Sequence, residues 1–132
     1  MKTKLILALI LIFVFGSILQ AKGRTDEQFK LQVNGQKTIT KDKLTIKFIS
    51  VVEDSRCPKD AACIWSGNAK IQLKLKKKNG AWETFELNTD IEKREIRFSG
   101  YAIKIVGLTP TPKANVRINR NGYVATFSIT KS

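Results

Sequence analysis

The sequence predicts an all-β protein, a single-domain antiparallel β-sandwich of seven or eight strands behind an N-terminal signal peptide. An immunoglobulin-like sandwich and a small barrel are the variants of that class. Three observations carry the prediction. Apolar and polar residues alternate through a series of short runs. Turn signals recur about every ten residues between those runs. No amphipathic helical pattern appears after the first 21 residues.

The leader comes first. Lys2 and Lys4 precede an uncharged apolar run from Leu5 to Phe15, and small residues follow at Gly16, Ser17 and Ala21. This is the layout of a secretory signal peptide spanning 1–21, with cleavage after Ala21 or Gly23. An uncleaved anchor is the competing reading, but the core is short for a span that needs about 20 apolar residues. A lipid anchor needs a cysteine at the cleavage site, and the two cysteines are Cys57 and Cys63. Cleavage after Ala21 leaves 111 residues, one domain's worth, with a net charge of +11 against +13 for the whole chain. Residues 22–28 are polar and expected to be disordered, and 29–132 form the β domain.

Phe29, Leu31 and Val33 alternate with Lys30 and Gln32, and Asn34-Gly35 then signals a turn. A short strand around Lys37 to Thr40 follows. Leu44 to Val52 is a strand with Leu44, Ile46 and Phe48 inward and Lys43, Thr45 and Lys47 outward. Ala69, Ile71, Leu73 and Leu75 alternate with Lys70, Gln72, Lys74 and Lys76. Trp82 to Leu87 is the next strand. A two-residue Asn79-Gly80 turn would set Leu73 against Glu86, so the hydrophobic face demands a three-residue loop, Lys78 to Gly80. Gly80 then takes the left-handed position, Leu73 faces Phe85, Lys76 faces Trp82, and Trp82 lands on the outer face. Asn88 to Arg97 is charged and stays unassigned. Tyr101, Ile103 and Ile105 mark a strand, and the prolines of 109–113 resist a ladder. Val116 to Ile118 reads as a short extended piece. Asn121-Gly122 turns the chain into a last strand with Tyr123, Ala125, Phe127 and Ile129 on one face. The expected core gathers Phe48, Trp65, Ile71, Leu73, Phe85, Ile103, Ile105, Phe127 and Ile129.

The most distinctive segment is 54–67, Asp-Ser-Arg-Cys-Pro-Lys-Asp-Ala-Ala-Cys-Ile-Trp-Ser-Gly. Export makes a Cys57–Cys63 disulfide the expected state. Bridged cysteines sit roughly 5.5 Å apart at Cα, so the chain between them must turn back, as Pro58 and Asp60 suit it to do. Redox chemistry lacks its Cys-x-x-Cys spacing, and zinc lacks ligands, since the chain has no histidine. Trp65 falls in phase with Gly67, Ala69 and Ile71 and is expected inward, against the disulfide. Asp54, Arg56, Lys59 and Asp60 are the candidate binding loop. The segment Asp-Ser-Arg-Cys-Pro, four residues, then Cys-Ile-Trp-Ser-Gly-Asn-Ala resembles the signature of a group of small exported bacterial proteins with predicted β structure. The closing Tyr123 to Ile129 strand fits the same group. The resemblance implies a bacterial, exported, single-domain β protein, and no substrate or catalytic residue.

No catalytic constellation is legible. Histidine is absent, no nucleophile elbow occurs, and no glycine-rich phosphate loop follows a strand. Glu83 and Glu86 lie on opposite faces of one strand. The expectation is an exported, non-enzymatic binding or accessory protein of the cell envelope, periplasmic or extracellular, without cofactor or metal. Its partner would be an envelope protein or glycan met through loops at one end of the sandwich. Two alternatives stand beside it. Lys43, Lys47, Lys70, Lys74 and Lys76, with Trp82 at the edge, form a candidate patch for an anionic polymer. The Cys57–Cys63 loop could instead present itself to a protease or toxin as an inhibitor.

Overall fold

The computed structural model describes residues 26–131 apart from Thr40 and Asp42. The expected signal peptide and its cleavage sites lie outside the described residues. Eight strands form: β1 Glu27–Gln32, β2 Gln36–Ile39, β3 Leu44–Asp54, β4 Ala69–Lys76, β5 Glu83–Asn88, β6 Glu95–Phe98, β7 Tyr101–Thr109 and β8 Val124–Lys131. They make two four-stranded antiparallel sheets, ordered β1-β8-β7-β6 and β2-β3-β4-β5. This is the two-layer sandwich that alternating strands require, because each sheet must hide one apolar face. The order is a four-strand meander and a three-strand meander closed by β1, not the strand order of the immunoglobulin sandwich.

The core lies between the sheets. Ile46, Phe48, Ile71, Leu73, Ile103 and Phe127 are fully or almost fully buried. The Phe127 ring meets Phe29 and Phe48 from the two layers, at centroid distances of 5.7 and 6.1 Å. Truncating Phe127 to alanine would remove contacts to both sheets and cost about 3–5 kcal/mol. The expected β4–β5 register is found, with Leu73 opposite Phe85 and Ile71 opposite Leu87.

Several expectations are corrected. The first strand starts at Glu27, within the stretch expected to be disordered, and pairs Glu27 with Ile129. The charged 88–97 stretch, which the sequence leaves unassigned, runs into β6 at Glu95. Val116 to Ile118 is not a strand. Phe85 is half-buried rather than core, because β5 is an edge strand; its ring leans on Phe98 of β6 at 5.7 Å and helps close that side of the sandwich. In the β4–β5 hairpin the left-handed residue is Asn79, with φ 58°, and not Gly80. The Gly80 amide closes the turn on the Lys77 carbonyl at 2.9 Å, which puts Asn79 at the turn's third position.

Two devices shape the sheets. At the β1–β2 corner Asn34 adopts φ 68°, and the chain passes from pairing with β8 to pairing with β3. Gly35 is needed there, since a Cβ would lie 2.9 Å from the Gln32 carbonyl oxygen. Strand β3 carries two bulges, between Phe48 and Ser50 and between Val51 and Glu53. A bulge inserts one unpaired residue and reverses the facing that follows. Together they put Ser50 and Glu53 outward, leave Val52 exposed, and return Asp54 to the inward side opposite Ala69.

Candidate functional site

The segment 55–68 connects β3 to β4 at one end of the sandwich. Cys57 and Cys63 are bridged, with Cα atoms 6.0 Å apart. The disulfide fits an oxidising, non-cytoplasmic compartment. The loop's two arms lie against each other: Ser55 N donates to Asn68 O at 2.8 Å, and Cys57 N donates to Ser66 O at 2.8 Å. This approach fixes Gly67, whose φ is +77° and whose hypothetical Cβ would fall 2.1 Å from the Ser55 carbonyl oxygen. The loop also docks on the chain that follows β7. Lys59 N donates to Pro112 O at 2.9 Å, and Ala114 N donates to the Asp60 carboxylate at 2.8 Å.

Below the loop sits a cluster of polar side chains. The Arg56 guanidinium grips Asp54 with two bonds of 2.8 Å and also donates to the Leu108 and Pro110 carbonyls at 2.6 and 2.9 Å. The Tyr123 hydroxyl donates to Asp54 at 2.9 Å. The Asp54 and Arg56 side chains are only 11% and 12% exposed. Burial by itself would raise the Asp54 carboxyl, but the bonds from Arg56 and Tyr123 and the Arg56 charge outweigh it and hold the group below its ordinary value. Burial, then the bond to Asp54, pushes Tyr123 up to about 12. The cluster joins β3 to the end of β7 and the start of β8, so it ties one sheet to the other.

The candidate binding loop thus separates into parts. Asp54 and Arg56 are consumed inside the fold, and Asp60 holds a backbone amide. The Lys59 side chain stays exposed, but its amide serves the docking. The tip instead presents Ile64, fully exposed at 106%, and Trp65 at 58%. Trp65 was expected in the core from its phase with Ala69, yet regular strand begins only at Ala69. The left-handed turn at Gly67 breaks that phase and turns the indole outward. Ile64 carries no signal in the sequence, since nothing local distinguishes an exposed isoleucine from a buried one. A second polar cluster was also missed: buried Asn68 donates to buried Asn88 at 3.0 Å and anchors the start of β4 to the end of β5. Asn88 opens the charged segment that the sequence leaves unassigned. Beside the Arg56 cluster a cleft of about 320 Å³ is lined by Val52, Pro112, Val116 and Tyr123, with Val52 and Val116 both exposed.

The lysine patch lies elsewhere, on the outer face of the β2–β5 sheet. Lys47 stands directly opposite Lys74, Thr45 opposite Lys76, and Glu53 opposite Lys70, with which it pairs at 3.8 Å. The Lys76 ammonium rests over the Trp82 ring, 4.7 Å from its centroid. Lys43 is not part of the strand ladder; it occupies a left-handed turn, φ 51°, just before β3. The neighbouring Lys78 side chain, followed by desolvation, lowers its pKa. The patch therefore runs along β4 towards the β4–β5 hairpin, the end opposite the disulfide loop.

Among the described residues no group of three or more histidine, cysteine or acidic side chains could hold a metal ion. No helix among them is long and apolar enough to cross a membrane. Comparison with known proteins finds no matching family, no matching curated protein and no matching solved structure.

Proposed function

We propose that this is an exported, non-enzymatic binding protein of the bacterial cell envelope that engages a partner protein through the tip of its disulfide-closed loop. Its export rests on the signal-peptide pattern of residues 1–21 and is compatible with the disulfide. The observation that carries the binding reading is the exposure of Ile64 and Trp65 side by side on a braced loop. Burying apolar surface is worth about 25 cal/mol per Å². A chain that leaves two large apolar groups in water, on backbone already tied down, keeps that free energy available for a partner. The bracing also lowers the ordering cost of association. Tryptophan is among the residues that dominate binding energy at protein interfaces.

The experiment places a photo-crosslinking residue at position 64 in cells, with a control at Lys30 on the opposite sheet. A discrete adduct from position 64, absent at position 30 and abolished by Trp65→Ser, supports the reading. Absence of any specific adduct at position 64 overturns it. The rigid loop also favours the inhibitor reading, in which the partner is a protease or toxin. A protease panel separates the two: stoichiometric inhibition lost in Ile64→Ser identifies an inhibitor.

A further inference from the structure

We propose that the outward face of β3 and β4, with Trp82 at its end, binds a linear anionic polysaccharide. This site is distinct from the loop tip and stands or falls independently of it.

The sheet order makes these lysines unusual. Outward lysines commonly guard edge strands against pairing with other chains. Here they sit on β3 and β4, the two interior strands of the order β2-β3-β4-β5. Strand β5, at the edge, has no lysine and carries Glu83 and Glu86. Edge protection therefore does not account for them. Placing Lys47 directly opposite Lys74 is unfavourable, because like charges across an antiparallel pair repel. Lys70 has Glu53 beside it, whereas Lys47, Lys74 and Lys76 show no ion pair among the described residues. Glu86 stands on the same face, opposite Gln72 and one outward position along from Lys74. A bound polyanion would supply the missing counter-charge.

The shape favours a linear polymer. Alternate residues on a strand lie about 6.8 Å apart, so Lys74 and Lys76 form a short row of amines with Lys47 alongside. A flat face with such a row suits an extended chain of charges, whereas a small anion needs a concavity. The neutral groups decide between polymers. Gln72 and Thr84 lie among the lysines on the outward phase of β4 and β5 and can hydrogen-bond sugar hydroxyls. Trp82, 40% exposed, offers one indole for stacking a sugar ring. A single-stranded nucleic acid is held by several aromatic rings under successive bases, and this face has one ring.

The test titrates the full mature protein with a heparin oligosaccharide and with polygalacturonate. Single-stranded DNA and vesicles of equal parts phosphatidylglycerol and phosphatidylcholine serve as comparison probes. Glycan affinity should fall about tenfold between about 50 and about 200 mM salt, as for a ligand held by a few charge contacts. Lys74→Glu with Lys76→Glu should lose at least about tenfold at low salt. Lys74→Gln with Lys76→Gln, which avoids any new acid, should show a smaller loss in the same direction, and Trp82→Ala should weaken glycan binding without changing the salt slope. Lys30→Glu with Lys104→Glu makes the same charge change on the other sheet and should leave affinity within about twofold. Ile64→Ser with Trp65→Ser should leave it unchanged, which separates this site from the loop tip. Three results overturn the proposal: no glycan binding at low salt, an equal loss in the Lys30 and Lys104 control, or tighter binding to DNA or vesicles than to either glycan.

Discussion

The β2–β5 sheet ends in two regions that each expose a tryptophan, and they are built by opposite means. At the disulfide end, Trp65 rides on a loop held by a covalent bridge, by paired loop arms and by Arg56 reaching carbonyls at and just past the end of β7. At the hairpin end, Trp82 follows a turn closed by the Gly80 to Lys77 bond and rests beneath Lys76. The first region is fixed by long-range partners and presents an apolar tip. The second is fixed by its neighbours in sequence and presents charge. A recognition surface made of shape needs bracing, because a misplaced apolar contact is lost. One made of charge tolerates motion, because Coulomb attraction falls off slowly with distance.

If that contrast is right, damage at the disulfide end should cost much more stability than damage at the hairpin. The largest effect should come from Asp54→Ala. It strips a mostly buried guanidinium of its carboxylate and should destabilise by about 3 kcal/mol. Urea denaturation measures it, and Lys78→Ala at the hairpin end should stay within about 0.5 kcal/mol. A loss below about 1 kcal/mol for Asp54→Ala would mean that the loop does not depend on the cluster.

Replacing Cys57 and Cys63 by serine should come next, at about 2.4 kcal/mol for opening a ring closed across six residue steps. Hydrogen exchange should accelerate at the Cys57 amide while the Gly80 amide keeps its protection. Equal acceleration at both would erase the distinction between the two ends.

The third prediction concerns pH. Tyr123 titrates at about 12 in the fold against 10.0 for an ordinary tyrosine. The folded state thus holds this proton more tightly, so the stability it contributes is complete below about pH 10 and fades as pH rises towards about 12. Melting curves of wild type and Tyr123→Phe should converge across that window, with the variant weaker at neutral pH by about 1 kcal/mol for the lost hydrogen bond. Asp54 works in the opposite direction. Its lowered pKa means stability that is present above the ordinary carboxylate value and lost as pH falls through the folded one.

The smallest effects should be at the tryptophans themselves. Trp82→Ala removes a ring under an exposed ammonium and should cost about 0.5–1 kcal/mol. Trp65→Ala should fall within about 0.5 kcal/mol, because the indole stands in water. A larger cost at Trp65 would show that the ring packs on the fold and does not wait for a partner.

Much of this was legible in the chain alone. Alternation marked the strands from Leu44, Ala69, Tyr101 and Tyr123, because facing on a pleated strand has a period of two and needs no knowledge of partners. The Leu73–Phe85 register followed as well, since one choice of hairpin loop keeps both apolar faces together. The disulfide followed from the signal-peptide pattern and a spacing that can close. Trp65 was misplaced because parity holds only along an unbroken strand, and Gly67 breaks it. The hairpin's left-handed residue was misassigned because the turn's closing bond, not composition, selects Asn79. Tertiary structure alone decided that Arg56 meets the Leu108 and Pro110 carbonyls and that Tyr123 meets Asp54, since those partners lie more than fifty positions apart. It also decided that the lysines of β3 and β4 belong to interior strands. Period and turn chemistry are properties of neighbouring residues, whereas sheet order and buried polar partners depend on how distant segments close around one core.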